Sequence, residues 1–231
     1  MSLQIPHNCQ IPCLNEILAK FFDLSSKETH TFIEVGAFDG YNFSNTFALS
    51  KIGWEGVYIE PVANFAQVCA NVHSFNPGIK TVCCAIGEIE GRASMAVAGT
   101  LSTLSKDNLK AYSEIGWAKK DLESLYSGNI EVPVNRLDTV LRNLGVKTID
   151  LLVVDVEGSE ESVFKSFSFD EFLPKMIICE IEDAHEDLSK YESIRLSNER
   201  VRNHISCAGY SEVYRDQINT IFVHQSVSVL V

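Results

Sequence analysis

The feature that most constrains the fold of this 231-residue chain is the stretch 31–46, TFIEVGAFDGYNFSNT. Its first residues form a short apolar run that predicts a β-strand, and the glycines that follow predict a turn into a helix over about 41–51. Gly36 and Gly40 lack a Cβ, so the backbone there can approach a bound molecule closely. Open α/β sheets bind nucleotide-like ligands at such strand–turn–helix units. An ordinary turn with glycines for packing is the alternative at this point.

A carboxylate follows the second apolar run of the chain. Residues 56–59 end at Glu60 and Pro61, and an acidic residue about twenty positions after a glycine turn can accept hydrogen bonds from ribose hydroxyls. Phe38 stands where the dinucleotide fingerprint G-x-G-x-x-G requires its second glycine. A phosphate loop ending in Gly-Lys-Ser or Gly-Lys-Thr is also missing from the sequence. These departures count against a nicotinamide-dependent oxidoreductase, which stays a weaker alternative.

The charges around the turn indicate which nucleotide would fit. Glu34, Asp39 and Glu60 surround it, and residues 31–50 contain no lysine or arginine. A pyrophosphate would be repelled by these carboxylates, whereas a cationic adenosine ligand would be attracted to them. S-adenosylmethionine, which carries a sulfonium and an ammonium group, is such a ligand.

Composition limits the class of partner. A hydrophobic content of 45% and a charged content of 22% are ordinary for one globular domain of this length. The net charge of −12 argues against nucleic acid, which binds basic surfaces. No apolar run approaches the length of a membrane span and no signal-peptide pattern begins the chain, so no membrane partner is expected. The seven cysteines, an odd number, favour reduced thiols and a cytoplasmic location.

The rest of the chain alternates predicted strands and helices, which indicates βαβ units and a mainly parallel sheet in a single domain, 1–231. An N-terminal arm and an amphipathic helix near 14–24 occupy residues 1–29. The further elements expected are a helix at 62–73, a strand at 80–86 with a hairpin partner at 92–98, a strand at 130–134, a helix at 136–144, a helix at 190–208 and strands at 210–215 and 219–225.

Residues 99–129 interrupt this alternation. They are polar and carry Leu109, Tyr112, Ile115 and Trp117 at roughly helical spacing. One interpretation is an insertion over the carboxyl edge of the sheet that acts as a lid or a substrate wall. A solvent-exposed helical excursion is the other.

Two apolar runs end in acidic residues. Residues 148–156 are the most apolar of the chain, as is typical of a central parallel strand, and they contain Asp155 near their end. Residues 175–181 resemble them and contain Glu180. Glu160 falls in the first turn of the helix after Asp155, where the helix dipole favours a carboxylate, so a structural role is expected for it.

These motifs together resemble the FkbM-type methyltransferases, within the class I S-adenosylmethionine-dependent fold. The resemblance covers about 30–185, and the Asp-x-Glu-Gly-x-Glu pattern at 155–160 is its most specific part. Glu34 stands where the family more often has aspartate. The matching segments are Glu34-Val35-Gly36-Ala37 with Gly40, Ser44-Asn45-Thr46, Gly53-Trp54-Glu55-Gly56 with Glu60-Pro61, Asn135-Arg136-Leu137-Asp138, Asp155-Val156-Glu157-Gly158-Ser159-Glu160, and Glu180.

The resemblance implies a Rossmann-like α/β fold, a three-layer αβα sandwich whose seven-stranded, mostly parallel sheet has its last strand antiparallel. It implies S-adenosylmethionine as cofactor, with Glu34 and Gly36 at the methionine part and Glu60 at the ribose. The residues expected to bind the cofactor are Glu34, Gly36, Ala37, Phe38, Asp39, Gly40, Ser44, Asn45, Glu60, Pro61, Ala85, Ile86 and Asp155. Among these, Ala85 and Ile86 would flank the adenine.

The implied activity is methyl transfer, O-directed, to a small-molecule or carbohydrate-like acceptor. Asp155 and Glu157 are candidates to accept the proton of a substrate hydroxyl, and His185 is a candidate general base because its pKa is ordinarily near neutrality. Together with Glu180 they could form an oxygen-rich divalent metal site, which is possible but not predicted. A non-catalytic binding module that keeps the fold is the main alternative function.

Overall fold

The structure is a computed structural model that describes residues 9–26 and 28–230. Residues 1–8 of the predicted N-terminal arm therefore lie outside the described residues. The first helix is α1 (Leu14–Phe21), which buries Leu14, Ile17 and Leu18. The apolar positions recur at helical spacing, so one side of α1 packs on the sheet, as the sequence predicts.

The strands are β1 (Thr31–Val35), β2 (Glu55–Ile59), β3 (Ile79–Val82), β4 (Ala85–Ile86), β5 (Gly91–Val97), β6 (Gly128–Asn135), β7 (Leu151–Val154), β8 (Met176–Glu180), β9 (Tyr210–Arg215) and β10 (Asn219–His224). The further helices are α2 (Phe47–Lys51), α3 (Ala63–Val72), α4 (Lys106–Glu114), α5 (Gly116–Leu125), α6 (Leu137–Leu144), α7 (Glu160–Lys165) and α8 (Glu192–Cys207). In the described part of the chain, no helix combines the length and the apolar character that crossing a bilayer requires.

The main sheet has seven strands in the order β3-β2-β1-β7-β8-β10-β9. Strands β3, β2, β1, β7 and β8 pair in parallel, and β10 runs antiparallel to both of its neighbours. Helices cover both faces, which is why β7 and β8 are buried along their whole length. The predicted seven-stranded αβα fold with an antiparallel last strand is therefore confirmed.

The alternation of side chains along each strand divides the interior into two cores. Ile33 and Val35 of β1 pack with α6, α7 and α8, whereas Phe32 packs with α1, α2 and α3 on the other face. Successive side chains of a strand point to opposite faces, so an almost continuous apolar run supplies both cores at once.

The predicted helix over 41–51 is wrong in its first half, since α2 begins at Phe47. The Asp39 carboxylate accepts hydrogen bonds from the backbone N–H groups of Tyr41 and Asn42, at 2.9 and 2.7 Å, which closes a turn in place of a helix. Phe43 then adopts a left-handed backbone conformation, with φ of 62°. An L-residue in that conformation interrupts a right-handed helix.

The predicted strand over 80–86 is split, and its hairpin partner is a different strand. The ladder between β2 and β3 ends where the Glu60 N–H donates to the Val82 carbonyl, because Pro61 has no N–H with which to continue it. The chain then leaves the main sheet as β4, which pairs in parallel with β6. Strand β5, predicted to pair with the preceding strand, pairs antiparallel with β6, and these three strands form a second sheet.

Candidate functional site

A cavity of about 230 Å³ opens at the carboxyl edge of the main sheet, where β1, β2, β7 and β8 end. The segment 99–117 and the second sheet form its remaining walls. The predicted cofactor residues that line it are Glu34, Gly36, Ala37, Phe38, Ser44, Glu60, Pro61, Ala85, Ile86 and Asp155. The structure thus brings residues from four separate segments of the sequence to one cavity.

Gly36 allows the end of β1 to lie directly against the end of β7. Its φ is +87°, and a Cβ added there would lie 1.6 Å from the backbone carbonyl oxygen of Asp155. Its N–H and that of Ala37 both donate to the carbonyl of Ile59, at 3.0 and 3.1 Å. The requirement for glycine at this position therefore comes from contact between backbone segments, which in turn fixes where Asp155 enters the cavity.

Three of the predicted cofactor residues do not line the cavity: Asp39, Gly40 and Asn45. Their contacts are with other parts of the protein. Asp39 closes the turn described above. The carbonyl of Gly40 lies 2.8 Å from His73 Nε2, and Asn45 Oδ1 accepts a hydrogen bond from the Cys9 thiol at 3.3 Å. The sequence indicates Asp39 by its charge, Gly40 by its missing Cβ and Asn45 by the family motif, and in the structure all three make contacts within the protein.

Glu34 is buried beneath the turn and holds the loop before α2. Its Oε2 accepts hydrogen bonds from the hydroxyls of Ser44, at 3.0 Å, and Thr46. The Tyr58 hydroxyl lies 2.9 Å from Thr46 Oγ1 and extends the network. Burial raises the pKa of Glu34 to about 7, an effect that the two hydroxyls only partly offset.

Glu60 joins the glycine turn to the start of α3. Its Oε2 accepts from the Phe38 N–H at 2.9 Å, and its Oε1 accepts from the Val62 N–H at 2.8 Å. Burial raises the pKa of Glu60 to about 7, although both N–H groups favour the ionised form. Each carboxylate oxygen has a second lone pair, so Glu60 can accept two further hydrogen bonds from a ligand in the cavity.

Asp155, Glu157 and Glu180 form an acidic group at the ends of β7 and β8. One carboxylate oxygen of each lies within 4.8 Å of the other two. Glu157 has a left-handed backbone, with φ of 54°, and its Oε2 accepts a hydrogen bond from the Tyr112 hydroxyl. Burial, and then repulsion by Asp155, raise the pKa values of Glu157 and Glu180 well above that of an ordinary glutamate.

The carboxylates of the cavity have no basic partner within the described part of the chain. Within residues 9–26 and 28–230, no salt bridge involves a carboxylate that lines the cavity. The carboxylates that line the cavity belong to Glu34, Glu60, Asp155, Glu157, Glu180 and Glu182. A cavity with this charge favours a ligand that carries positive charge or donates several hydrogen bonds.

Glu160 has the structural role that its position predicts. Its Oε1 accepts hydrogen bonds from the backbone N–H groups of Val156 and Gly158, at 3.0 and 3.1 Å. The side chain thereby closes the loop between β7 and α7, and this loop carries Glu157 into the cavity.

His185 lines the cavity, but its contacts disfavour the predicted role as a general base. The backbone N–H groups of Asp187 and Leu188 lie 3.1 and 3.3 Å from its Nδ1 and donate to it. In the neutral ring the proton is then on Nε2, so this nitrogen donates a hydrogen bond and does not accept a proton. His185 thus fits a role in binding a substrate acceptor atom.

Tyr112 and Trp117, which the sequence places in the possible lid or substrate wall at 99–129, line the cavity. Sequence reasoning missed other residues of the cavity wall. Gln10 and Glu182 also line the cavity. Nothing in the sequence around Gln10 marks it, because its place depends on a long-range contact: the neighbouring Cys9 forms a β-bridge with Phe43.

The cavity suits the parts of S-adenosylmethionine. Glu60 offers free lone pairs to ribose hydroxyls, and the unpaired carboxylates suit the sulfonium and ammonium charges. Ala85, Ile86 and Phe65 supply an apolar wall for a planar base. The donor set of the structure therefore fits the cofactor that the sequence predicts.

Comparison with known proteins agrees with this geometry. Residues 34–211 match the family described as the methyltransferase FkbM domain. No curated protein matches the chain significantly in sequence. A solved structure of a putative O-methyltransferase from Klebsiella pneumoniae is similar, with a TM-score of 0.52 and 9% identity over 95% of this chain and 84% of that one. The O-methyltransferase from Bacillus cereus, solved in complex with SAH, is also similar, with a TM-score of 0.50 and 12% identity over 94% and 84%.

The two solved structures support the fold alone, since their sequence identity is low. The family match is stronger, because it extends from the end of β1 to β9 and includes both acidic strand ends. The protein therefore belongs to the FkbM-domain methyltransferases, enzymes whose methyl donor is S-adenosylmethionine.

Proposed function

We propose that this protein methylates a hydroxyl group of a small-molecule or carbohydrate-like acceptor. The observation that carries the proposal is that one cavity combines a carboxylate suited to ribose, Glu60, with Asp155 and Glu157 at the end of the central strand, two carboxylates that form no salt bridge within the described residues. S-adenosylmethionine supplies a methyl group made electrophilic by its sulfonium sulfur. The chain must orient the acceptor and take its proton.

At the cofactor end, Glu60 would accept hydrogen bonds from the ribose hydroxyls, and Glu34 would face the ammonium group. Both carboxylates are already held by the protein, Glu60 by two backbone N–H groups and Glu34 by two hydroxyls. Side chains held in this way lose little conformational freedom when a ligand binds.

At the acceptor end, a hydroxyl placed beside Asp155 or Glu157 would donate its hydrogen bond to a carboxylate. Because burial raises the pKa of both groups, each binds a proton more readily near neutral pH than an exposed carboxylate does. Phe43 and Trp117 line the same cavity and remain about half exposed, at 50% and 44%. Their faces can stack against a sugar or an aromatic ring.

The segment 99–129 is proposed as the acceptor-side wall. Thr103 Oγ1 donates to the backbone carbonyl of Glu157 at 2.6 Å, and the Tyr112 hydroxyl donates to the Glu157 carboxylate. Ala111 of α4 and Ala118 of α5 belong to one apolar cluster with Leu188. Movement of this segment would therefore move Glu157 as well.

The proposal is tested by incubating the purified protein with S-adenosylmethionine and extracts of small metabolites and glycans, and by detecting methylated products by mass spectrometry. We expect an O-methylated product and calorimetric binding of S-adenosylhomocysteine. Absence of cofactor binding would overturn the proposal at its base. Cofactor binding without any methylated product would favour the non-catalytic binding module.

Replacing Glu60 tests the cofactor end. Glu60→Gln removes the charge that strengthens hydrogen bonds from the ribose, and it places an amide N–H₂ against a backbone donor. We expect the Kd for S-adenosylhomocysteine to rise by about 5- to 150-fold, equivalent to about 1–3 kcal/mol. Glu55→Gln, at the exposed start of β2, the strand that ends just before Glu60, is the matched control and should leave the Kd unchanged. Equal Kd values for the two variants would remove Glu60 from the site.

Cofactor affinity should also depend on pH near neutrality. The folded-state pKa values of Glu34 and Glu60 are both about 7, above the value of 4.5 for an ordinary glutamate. In the ligand-free protein their contribution to stability is therefore present below pH 4.5 and lost as the pH rises through 7. Ligand binding changes in the opposite direction, because an ionised carboxylate accepts hydrogen bonds from the ligand more strongly than a protonated one does, and it alone attracts the ammonium group by its charge.

We expect the Kd for S-adenosylhomocysteine to rise at least about tenfold between pH 8 and pH 6, measured by calorimetry at constant ionic strength. In Glu60→Gln, the Kd should change less between pH 8 and pH 6 than in the unmodified protein. An unchanged slope in the variant would mean that Glu60 does not bind the ligand in its ionised form.

A further inference from the structure

We propose that Asp155, Glu157 and Glu180 together bind a hard divalent cation, of the Mg²⁺, Mn²⁺ or Ca²⁺ class, beside the acceptor position. The geometry is the first support. One oxygen from each residue lies within 4.8 Å of the other two. Oxygen ligands lie about 2.0–2.6 Å from such cations, so two ligands of one ion are at most about 5 Å apart. All three residues can therefore contact a single ion from their present positions.

A second support is a carboxylate oxygen with no hydrogen-bond partner. Glu180 is 6% exposed and lines the cavity, and its Oε2 is buried without a donor among residues 9–26 and 28–230. Buried polar atoms are almost always paired, so such an atom calls for a ligand that it can bind. Gln10 lines the same cavity, and its Oε1 is likewise buried and unpaired. Both unsatisfied atoms are oxygen acceptors, which is what a cation requires.

The charge of the group specifies a divalent ion in preference to a monovalent one. Three carboxylates converge here, and Glu182 adds a fourth in the same cavity. The Glu157 carboxylate accepts a hydrogen bond from the Tyr112 hydroxyl, which is neutral and adds no positive charge to the group. An ammonium group would neutralise one negative charge, whereas a divalent cation neutralises two at the same point.

The ligand atoms decide the class of metal. The three side chains offer only carboxylate oxygens, which suit hard cations, whereas zinc sites in proteins generally include histidine or cysteine. The side of the group that faces the cavity leaves coordination positions for water or for acceptor oxygens. A hydroxyl bound to the cation would lose its proton more easily. This catalytic use rests on the proposed function, but binding of the cation does not.

The test is a titration of the purified full-length protein with Mn²⁺, with free Mn²⁺ followed by electron paramagnetic resonance, in the presence and absence of S-adenosylhomocysteine. We expect one Mn²⁺ per chain, displaced by Mg²⁺ or Ca²⁺. Glu180→Gln should weaken Mn²⁺ binding at least about 10- to 100-fold, since loss of even an outer-shell partner has an effect of that size. Glu182→Gln, which removes a carboxylate outside the three ligands, should weaken it much less.

The variants should be shown to be folded by their melting temperature and by retained binding of S-adenosylhomocysteine, and Glu157→Gln replaces Glu180→Gln if the latter does not fold. The cation site is refuted if Mn²⁺ does not bind at millimolar concentration, or if Glu180→Gln and Glu182→Gln have equal effects. Intact cofactor binding without Mn²⁺ binding would refute the cation site alone. Mn²⁺ binding without cofactor binding would refute the proposed function alone.

Discussion

Asp155→Asn is expected to lower kcat by about 10²- to 10⁴-fold, the size of effect typical of a lost proton acceptor. The amide has almost the same shape as the carboxylate but cannot take a proton from a hydroxyl, and it is a weaker ligand for a cation. The Kd for S-adenosylhomocysteine should change only a few-fold if Asp155 serves the acceptor. Comparison of kcat with this Kd therefore assigns the residue.

The stability of this variant separates a chemical effect from a folding effect. Burial raises the pKa of Asp155 and makes its ionised form costly, so loss of its charge should leave the melting temperature unchanged or raise it. Asp170→Asn, the same change at an exposed position, is the control for both measurements. Equal losses of turnover and cofactor affinity would assign Asp155 to the cofactor, and an unchanged kcat would exclude it from the chemistry.

Gly36→Ala is expected to destabilise the protein by more than about 4 kcal/mol. Single substitutions have so large an effect only where they create a severe structural conflict. The added Cβ would lie 1.6 Å from the carbonyl oxygen of Asp155, so β1 and β7 would have to separate at the point where both enter the cavity. Cofactor binding should be lost together with stability, because Glu34 and Glu60 are positioned by the same turn.

Gly53→Ala is the matched control for this variant. Gly53 has a similar φ, +95° against +87°, but an added Cβ there meets no atom within 4 Å. Gly53→Ala should lower the free energy of unfolding only by the strain of an alanine in a left-handed conformation, about 1–2 kcal/mol. Urea denaturation measures both variants, and equal destabilisation would show that the contact with Asp155 is not the reason for glycine at position 36.

The positions of most elements could be predicted from the sequence because they depend on local patterns. The apolar runs of β1, β2, β7 and β8 and the helical spacing of α1 and α3 require no knowledge of distant residues. The second sheet was missed because β4 is only two residues long and follows β3 within one apolar stretch. Its pairing with β6 joins residues about fifty positions apart, which a local pattern does not reveal.

Some residues of the candidate site can likewise be predicted from local patterns, and others cannot. Glu34, Gly36, Glu60 and Asp155 follow predicted strands, and the carboxyl ends of parallel strands meet at one edge of a sheet, so their shared cavity was foreseeable. Asp39 is indicated by its charge and Asn45 by the family motif, but both are hydrogen-bonded within the protein and neither lines the cavity. Hydrogen bonds within the protein also disfavour His185 as a base. Two backbone N–H groups donate to its Nδ1, so that nitrogen is not available to take a proton from a substrate.

The sequence by itself determined the strand–turn–helix unit around Gly36, the alternation of strands and helices, and the acidic ends of the central strands. These features arise from side-chain periodicity and backbone freedom over a few residues. Only the tertiary structure decided that Asp155, Glu157 and Glu180 approach within 4.8 Å and that Tyr112 bonds Glu157. Those distances depend on the pairing of β7 with β8 and on the path of the segment 99–129 over the sheet, and both are set by packing between residues far apart in the chain.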